Sequence, residues 1–165
     1  MAMEVPDFLP TSLLKERSQR PLGPAFELTA EEAILRQLEA LKDNDHPYPD
    51  HGIEVMYRFA AFDPFTFSTY FGTVKDLGQF ERFRRLFHDR VYRVLLGHTD
   101  SKILSSFHPS EHEFKQRVWI RGHRPGEEEV FEFTLSQRFG GVRDGYWLTE
   151  SLKHDGKGLS KHIAY

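Results

Sequence analysis

EFKQRVWIR (113–121), GHRPG (122–126) and EEEVFEFTLSQRF (127–139) decide the fold of this chain. The two longer runs alternate apolar and polar residues with the period of a strand, and a Pro-Gly loop joins them. So short a connection makes them antiparallel neighbours. Their register follows from the alternation, because a slip of one residue would turn the apolar set outward. With Gly122 opposite Glu127, Val118 faces Phe131 and Phe114 faces Leu135, while Arg117 faces Glu132 on the other side. Apolar and charged pairs agree, which supports this register.

Working outward, His108-Pro109-Ser110 and Gly140-Gly141 through Gly145 are further turns. The strands are then Lys102–His108, Glu113–Arg121, Glu128–Phe139 and Tyr146–Lys153, a meander of about four strands. If Phe139 faces Tyr146, Leu148 falls opposite Gln137 and Glu150 opposite Leu135. One face then carries Ile103, Ser105, Phe107, Phe114, Val118, Ile120, Phe131, Phe133, Leu135, Phe139, Leu148 and Leu152. Gln116, Gln137 and Glu150 interrupt it. A carboxylate among Phe and Leu is costly unless paired, protonated or wet. Two readings follow for Glu150: a general base or ligand anchor at the floor of a pocket, or a sheet-edge residue that reaches solvent or a helix end. Gln116, Gln137 and Tyr57 complete the candidate pocket. The second face holds Trp119 and Trp147 with Arg117, Arg138, Glu132, Thr134 and Thr149. Tryptophan among arginine and hydroxyls is interface composition; the same residues could shield a bent sheet within one chain.

Upstream of Val91 the period is helical. Thr29-Ala30-Glu31-Glu32 is a capping box, followed by Ile34, Leu35, Leu38 and Leu41 on one stripe. After the His46-Pro47-Tyr48-Pro49 loop, Asp50 is expected to cap a second helix that is apolar on two sides and ends at Asp63-Pro64. A third helix is expected from Asp76, with Leu77, Phe80, Phe83 and Phe87 inward. Residues 1–28 read as an extended Pro-rich arm with a short helix at Thr11–Arg17, residues 29–156 as the folded domain and residues 157–165 as a tail. Helices first and strands afterwards make an α+β fold, with N-terminal helices packed on a curved antiparallel sheet.

Composition narrows the function. With 22 basic and 25 acidic residues the net charge is -3, so no global field draws nucleic acid or an anionic membrane. No apolar run is long enough to span a bilayer, and the absence of cysteine excludes disulfides and thiolate chemistry. A soluble, intracellular protein is the expectation. The nine histidines show no metal-ligand spacing on a helix, so neither a metal nor a cofactor is expected. His88 suits interaction with the C-terminus of the third helix, with a catalytic part left open. Arg82, Arg84, Arg85, Arg90 and Arg93 read as a solvated helix face, and Gly140-Gly141 as a turn. There is no Gly-x-Ser-x-Gly nucleophile motif.

Several stretches carry a likeness: Asp43-Asn44-Asp45-His46-Pro47, Gly52-Ile53-Glu54-Val55-Met56-Tyr57-Arg58-Phe59, Tyr70-Phe71-Gly72, and Asp76 through Phe83. It continues in Gly97-His98, Gln116-Arg117-Val118, Phe139-Gly140-Gly141 and Asp144 through Ser151. Together they resemble the nuclear transport factor 2-like superfamily, which includes ketosteroid isomerase and polyketide-cyclase relatives, and within it a branch found in plants and algae. The resemblance implies a cone-shaped, cystatin-like fold, a cavity between sheet and helices, and dimerisation through the sheet's outer face. It also leaves a chloroplast location open. The aspartate and tyrosine constellation of ketosteroid isomerase does not match here residue by residue, so no isomerase role is carried over. The leading expectation is a non-enzymatic binding or assembly protein, with a protein partner or a homodimer, acting through its sheet face and arm. The alternatives are a pocket enzyme of isomerase or cyclase type with Glu150 as general base, and a carrier of a small apolar ligand.

Overall fold

A computed structural model describes residues 23–61, 67–73, 75–77, 79–89 and 91–156. The expected helix at Thr11–Arg17, Phe62, Asp63-Pro64, Arg90 and residues 157–165 lie outside them. In chain order the elements are α1 (Ala30–Lys42), α2 (His51–Phe59), the short pair β1 (Phe67–Ser68) and β2 (Lys75–Asp76), and α3 (Phe80–Phe87). A 3-10 turn (Tyr92–Leu95) then leads to β3 (Asp100–Ser110), β4 (Glu113–Arg121), β5 (Glu128–Gln137) and β6 (Trp147–His154). The last four form one curved antiparallel sheet in the order β3-β4-β5-β6, with the helices packed on it. The α+β arrangement read from the sequence is the one observed.

α1 starts as its capping box requires: Glu32 N–H donates to Thr29 Oγ1 at 3.1 Å and Thr29 N–H to Glu32 Oε1 at 3.0 Å. Ile34, Leu38 and Leu41 face the core with Ala33 and Ala40, whereas Leu35 is exposed. α2 is buried on two sides, Ile53, Val55, Met56 and Phe59 all being fully covered. It ends at Phe59, short of the expected Asp63-Pro64, because Ala60 turns into extended backbone and Ala61 N–H donates to Thr149 O at 2.9 Å. α3 starts at Phe80 rather than Asp76, since Asp76 is already paired with Phe67 between β1 and β2. Aromatic rings fill the space between α3 and the sheet. Tyr70 meets Phe83 at 5.3 Å between centroids, Phe71 meets Tyr92 at 4.7 Å, and Tyr92 meets Phe131 at 5.5 Å.

The junction of the three helices is polar. Asp50 sits at the N-cap of α2, as expected, but its φ is 60° and its side chain does not cap the helix. Asn44 does so from the end of α1: its Oδ1 accepts Ile53 N–H at 3.1 Å and its carbonyl accepts Gly52 N–H at 3.0 Å. The Asp50 carboxylate instead accepts from Asn44 Nδ2 (2.9 Å) and Arg84 Nη1 (3.0 Å), and meets His88 Nε2 at 3.0 Å. The side chain expected to cap α2 thus clamps α3 to the α1–α2 turn. Burial works against its charge, but hydrogen bonds from Asn44, Arg84 and His88 outweigh that and hold the carboxyl below the usual aspartate value.

Two outcomes test this junction. A Cβ at Gly52 would lie 2.3 Å from the Ala40 carbonyl oxygen and 2.7 Å from Asn44 Oδ1. Gly52→Ala should therefore lose about 1–3 kcal/mol in urea unfolding; an unchanged midpoint would refute the close crossing. Because the folded pKa of Asp50 is depressed, its stabilisation is complete above the unfolded aspartate value and lost as pH falls through the folded one. The stability gap between the native chain and Asp50→Asn should shrink as the solution is acidified below about pH 5.

Candidate functional site

The β4–β5 register is the expected one throughout, including Val118 opposite Phe131, Phe114 opposite Leu135 and Arg117 opposite Glu132. Both outer strands depart from expectation by one residue part-way along, and these slips decide where the candidate residues fall. In β6, Ser151, Leu152 and Lys153 pair with Thr134, Phe133 and Glu132 as expected. Before them the pairs are Gln137 with Trp147, Ser136 with Leu148 and Leu135 with Thr149, so Glu150 is the extra residue of a bulge. The turn is the cause. Arg138 N–H donates to Tyr146 O and Gly145 N–H to Arg138 O, both at 2.8 Å, which sets Arg138 rather than Phe139 opposite Tyr146. Gly140, Gly141 and Gly145 supply the positive φ angles that this loop needs.

The side chains are redistributed accordingly. Glu150 is exposed on the outer side, where it accepts from Ser136 Oγ at 2.5 Å. Thr149 takes the buried place on the covered face, and its Oγ1 donates to Gln37 Oε1 at 2.9 Å. Gln37 Nε2 in turn donates to Ala33 O at 3.1 Å. The polar pair inside the core is thus Gln37–Thr149. Trp147 also moves from the expected outer face to the covered one, where it packs against the core. In β3 a slip at Leu104 sets Ser106, not Ser105, opposite Gln116, and puts Ser105 and Phe107 on the outer face.

The residues assigned to one pocket are not gathered in one. Gln116 is buried and donates to Ser106 Oγ at 3.1 Å. Gln137 donates to Gly145 O at 3.1 Å and its Oε1 meets His112 Nδ1 at 3.1 Å. Tyr57 packs edge-on to Phe80 and Phe83, at 5.4 and 5.3 Å between centroids. Gln137 and Trp147 do share one cleft with Phe26, Leu28, Glu31 and His108, and Gln137 and Glu150 line another with Phe139 and His112. The outer-face set is also held within the chain. Trp119 is only 4% exposed, donates from Nε1 to Glu128 Oε1 at 3.0 Å, and has Lys102 and Arg121 over its ring. Arg117 Nη2 pairs with Asp155 Oδ2 at 2.6 Å, and Arg138 Nη2 donates to Ala61 O at 3.3 Å. Among the described residues no group of three or more His, Asp and Glu side chains is placed to hold a metal ion.

What the alternation did not reveal is the contrast between the two edges of the sheet. The β6 edge is closed. Ala61 N–H donates to Thr149 O (2.9 Å), Leu152 N–H to Tyr70 O (2.8 Å), the Tyr92 hydroxyl to Leu152 O (3.1 Å), and His154 N–H to that hydroxyl (3.1 Å). β3 is the other edge. It runs eleven residues from Asp100 to Ser110, and only Leu104 is even half-buried. Among the described residues only β4 pairs with it, and Ile103 and Phe107 stand 64% and 53% exposed. Lys102, Pro109 and the irregularity at Leu104 partly blunt this edge without covering it.

The bulge makes a sharp comparison testable. Thr149→Val strips Gln37 Oε1 of its buried donor and should lose about 1–3 kcal/mol of stability. Glu150→Gln, one residue on, should stay within about 0.5 kcal/mol. The reverse order of effects in urea titrations would restore the unbulged register. No protein-family model, curated protein or solved structure matches this chain.

Proposed function

We propose that this chain is a non-enzymatic assembly module of the nuclear transport factor 2-like kind, whose β3 edge joins that of a second copy. The observation that carries the reading is the unpaired edge itself. Among the described residues the eleven-residue β3 pairs on one side only, with Ile103 and Phe107 exposed, while the other strands of the sheet are paired or covered on both sides. An open edge is a template for another strand.

The β3 sequence suits pairing with itself. A two-fold axis at Leu104 sets Asp100 beside the partner's His108 at each end, Lys102 beside the partner's Ser106, and Leu104 against its own copy. An aspartate–histidine pair at each end and small serines between them favour a self-complementary contact. The two four-stranded sheets would then continue as one. The route to assembly is therefore the sheet edge, in place of the tryptophan-marked outer face, because Trp119 is buried and Trp147 faces the helices. Glu150 is solvent-facing and bound to Ser136, so no observation favours its use as a general base.

The test is the mass of the full chain in sedimentation or light scattering across a concentration series. A dimer is expected. Ile103→Lys combined with Phe107→Lys, both at exposed positions, should weaken it at least about tenfold while the circular dichroism stays native. A chain that remains monomeric, or a dimer indifferent to these changes, would sink the proposal.

A further inference from the structure

A cleft of about 410 Å³ opens where the end of α1, the loop after it, the end of α3 and the β4–β5 turn meet. Its wall carries Lys42, His46, His88, Arg93 and His123, with Asp43 and Asp45 as the acidic members. The basic groups are largely uncommitted. Lys42, His46 and His123 have no side-chain hydrogen bond or ion pair among the described residues. His88 turns Nε2 to the Asp50 carboxylate at 3.0 and 3.1 Å, which leaves Nδ1 without a hydrogen-bond partner. Arg93 pairs through Nη2 with Glu127 at 2.9 Å, while its buried Nη1 has no acceptor. The acidic side is partly spent: Asp45 Oδ1 accepts from Asp50 N–H at 3.0 Å and from Asn44 Nδ2 at 3.3 Å.

Lys42 and the buried Nη1 of Arg93 are donors with no acceptor among the described residues, and a ligand that satisfies them is acceptor-rich. We propose that the cleft is a binding site for a small oxyanion, a phosphoryl or carboxylate group, held by Lys42, His123 and the unpartnered Nη1 of Arg93. Asp50 acts as a positioning residue. Its carboxylate, 3.0 Å from Nε2, fixes where the His88 ring stands in the cleft wall. The site lies at the helical junction, away from the open β3 edge, and stands or falls independently of assembly.

The experiment is a titration of the full chain with inorganic phosphate and, separately, malonate at constant ionic strength, followed by amide NMR shifts. Saturable shifts centred on Lys42, Gly97 and His123 are expected, and the tighter probe identifies the phosphoryl or the carboxylate class. The double variant Lys42→Ala with His123→Ala changes two exposed residues and should weaken binding at least about tenfold. Shifts that chloride reproduces equally, or a double variant that binds as the native chain does, would overturn the site.

Discussion

The sheet is governed by a disagreement of one residue. The glycine-rich turn sets Arg138 opposite Tyr146, while the core needs Leu152 beside Phe133. In a strand whose side chains alternate faces, those two demands cannot both be met by a regular ladder. The bulge at Glu150 reconciles them, and much else follows from it. It sends Glu150 outward, brings Trp147 and Thr149 inward, and gives the fully buried Thr149 hydroxyl a partner in Gln37 of α1. It also places Thr149 O where Ala61 can close the β6 edge. The hydrogen bond that ties helix to sheet and the contact that protects one edge therefore share a single cause.

The helical layer shows the same economy at its junction. α1 and α2 approach so closely that Gly52 lies against the Ala40 carbonyl, and only a residue without Cβ fits there. Asn44, at the end of α1, takes over the capping of α2, which frees Asp50 to bind Arg84 and His88 of α3. One carboxylate and one carboxamide thereby tie the three helices at this corner, beside the apolar core that they share. The polar cleft at this corner exists because those groups are gathered for structural reasons, and His88 is the side chain that serves both the clamp and the cleft.

The two sides of the molecule differ in what they leave unmet. At β6, residues from Ala61, Tyr70 and Tyr92 satisfy backbone groups that would otherwise seek a strand. At β3 nothing among the described residues does so, and the exposed Ile103 and Phe107 add apolar surface to an edge already rich in free backbone. Backbone polarity is obligatory, so the groups along an open edge must bind water or another strand. Lys102 and Pro109 restrict which strand can take that place without abolishing it.

Much of this was legible in the sequence, for reasons that belong to local physics. The capping box at Thr29, the β4–β5 register and the order of helices before strands rest on neighbouring residues and on short-range periodicity, which the chain carries wherever it folds. The inner position of Leu152 was legible too, since a leucine opposite Phe133 has only one favourable face. The tertiary structure alone decided the rest. Glu150 leaves the core, Trp147 enters it and Asp50 abandons its cap because a turn, a distant glutamine and a third helix compete for the same backbone and the same carboxylate. Alternation records which residues prefer burial, but not where a ladder must slip to satisfy contacts more than a hundred residues apart, as between Gln37 and Thr149. The α+β architecture was therefore written in the sequence, while the residues buried and those offered to solvent were settled only when the helices met the sheet.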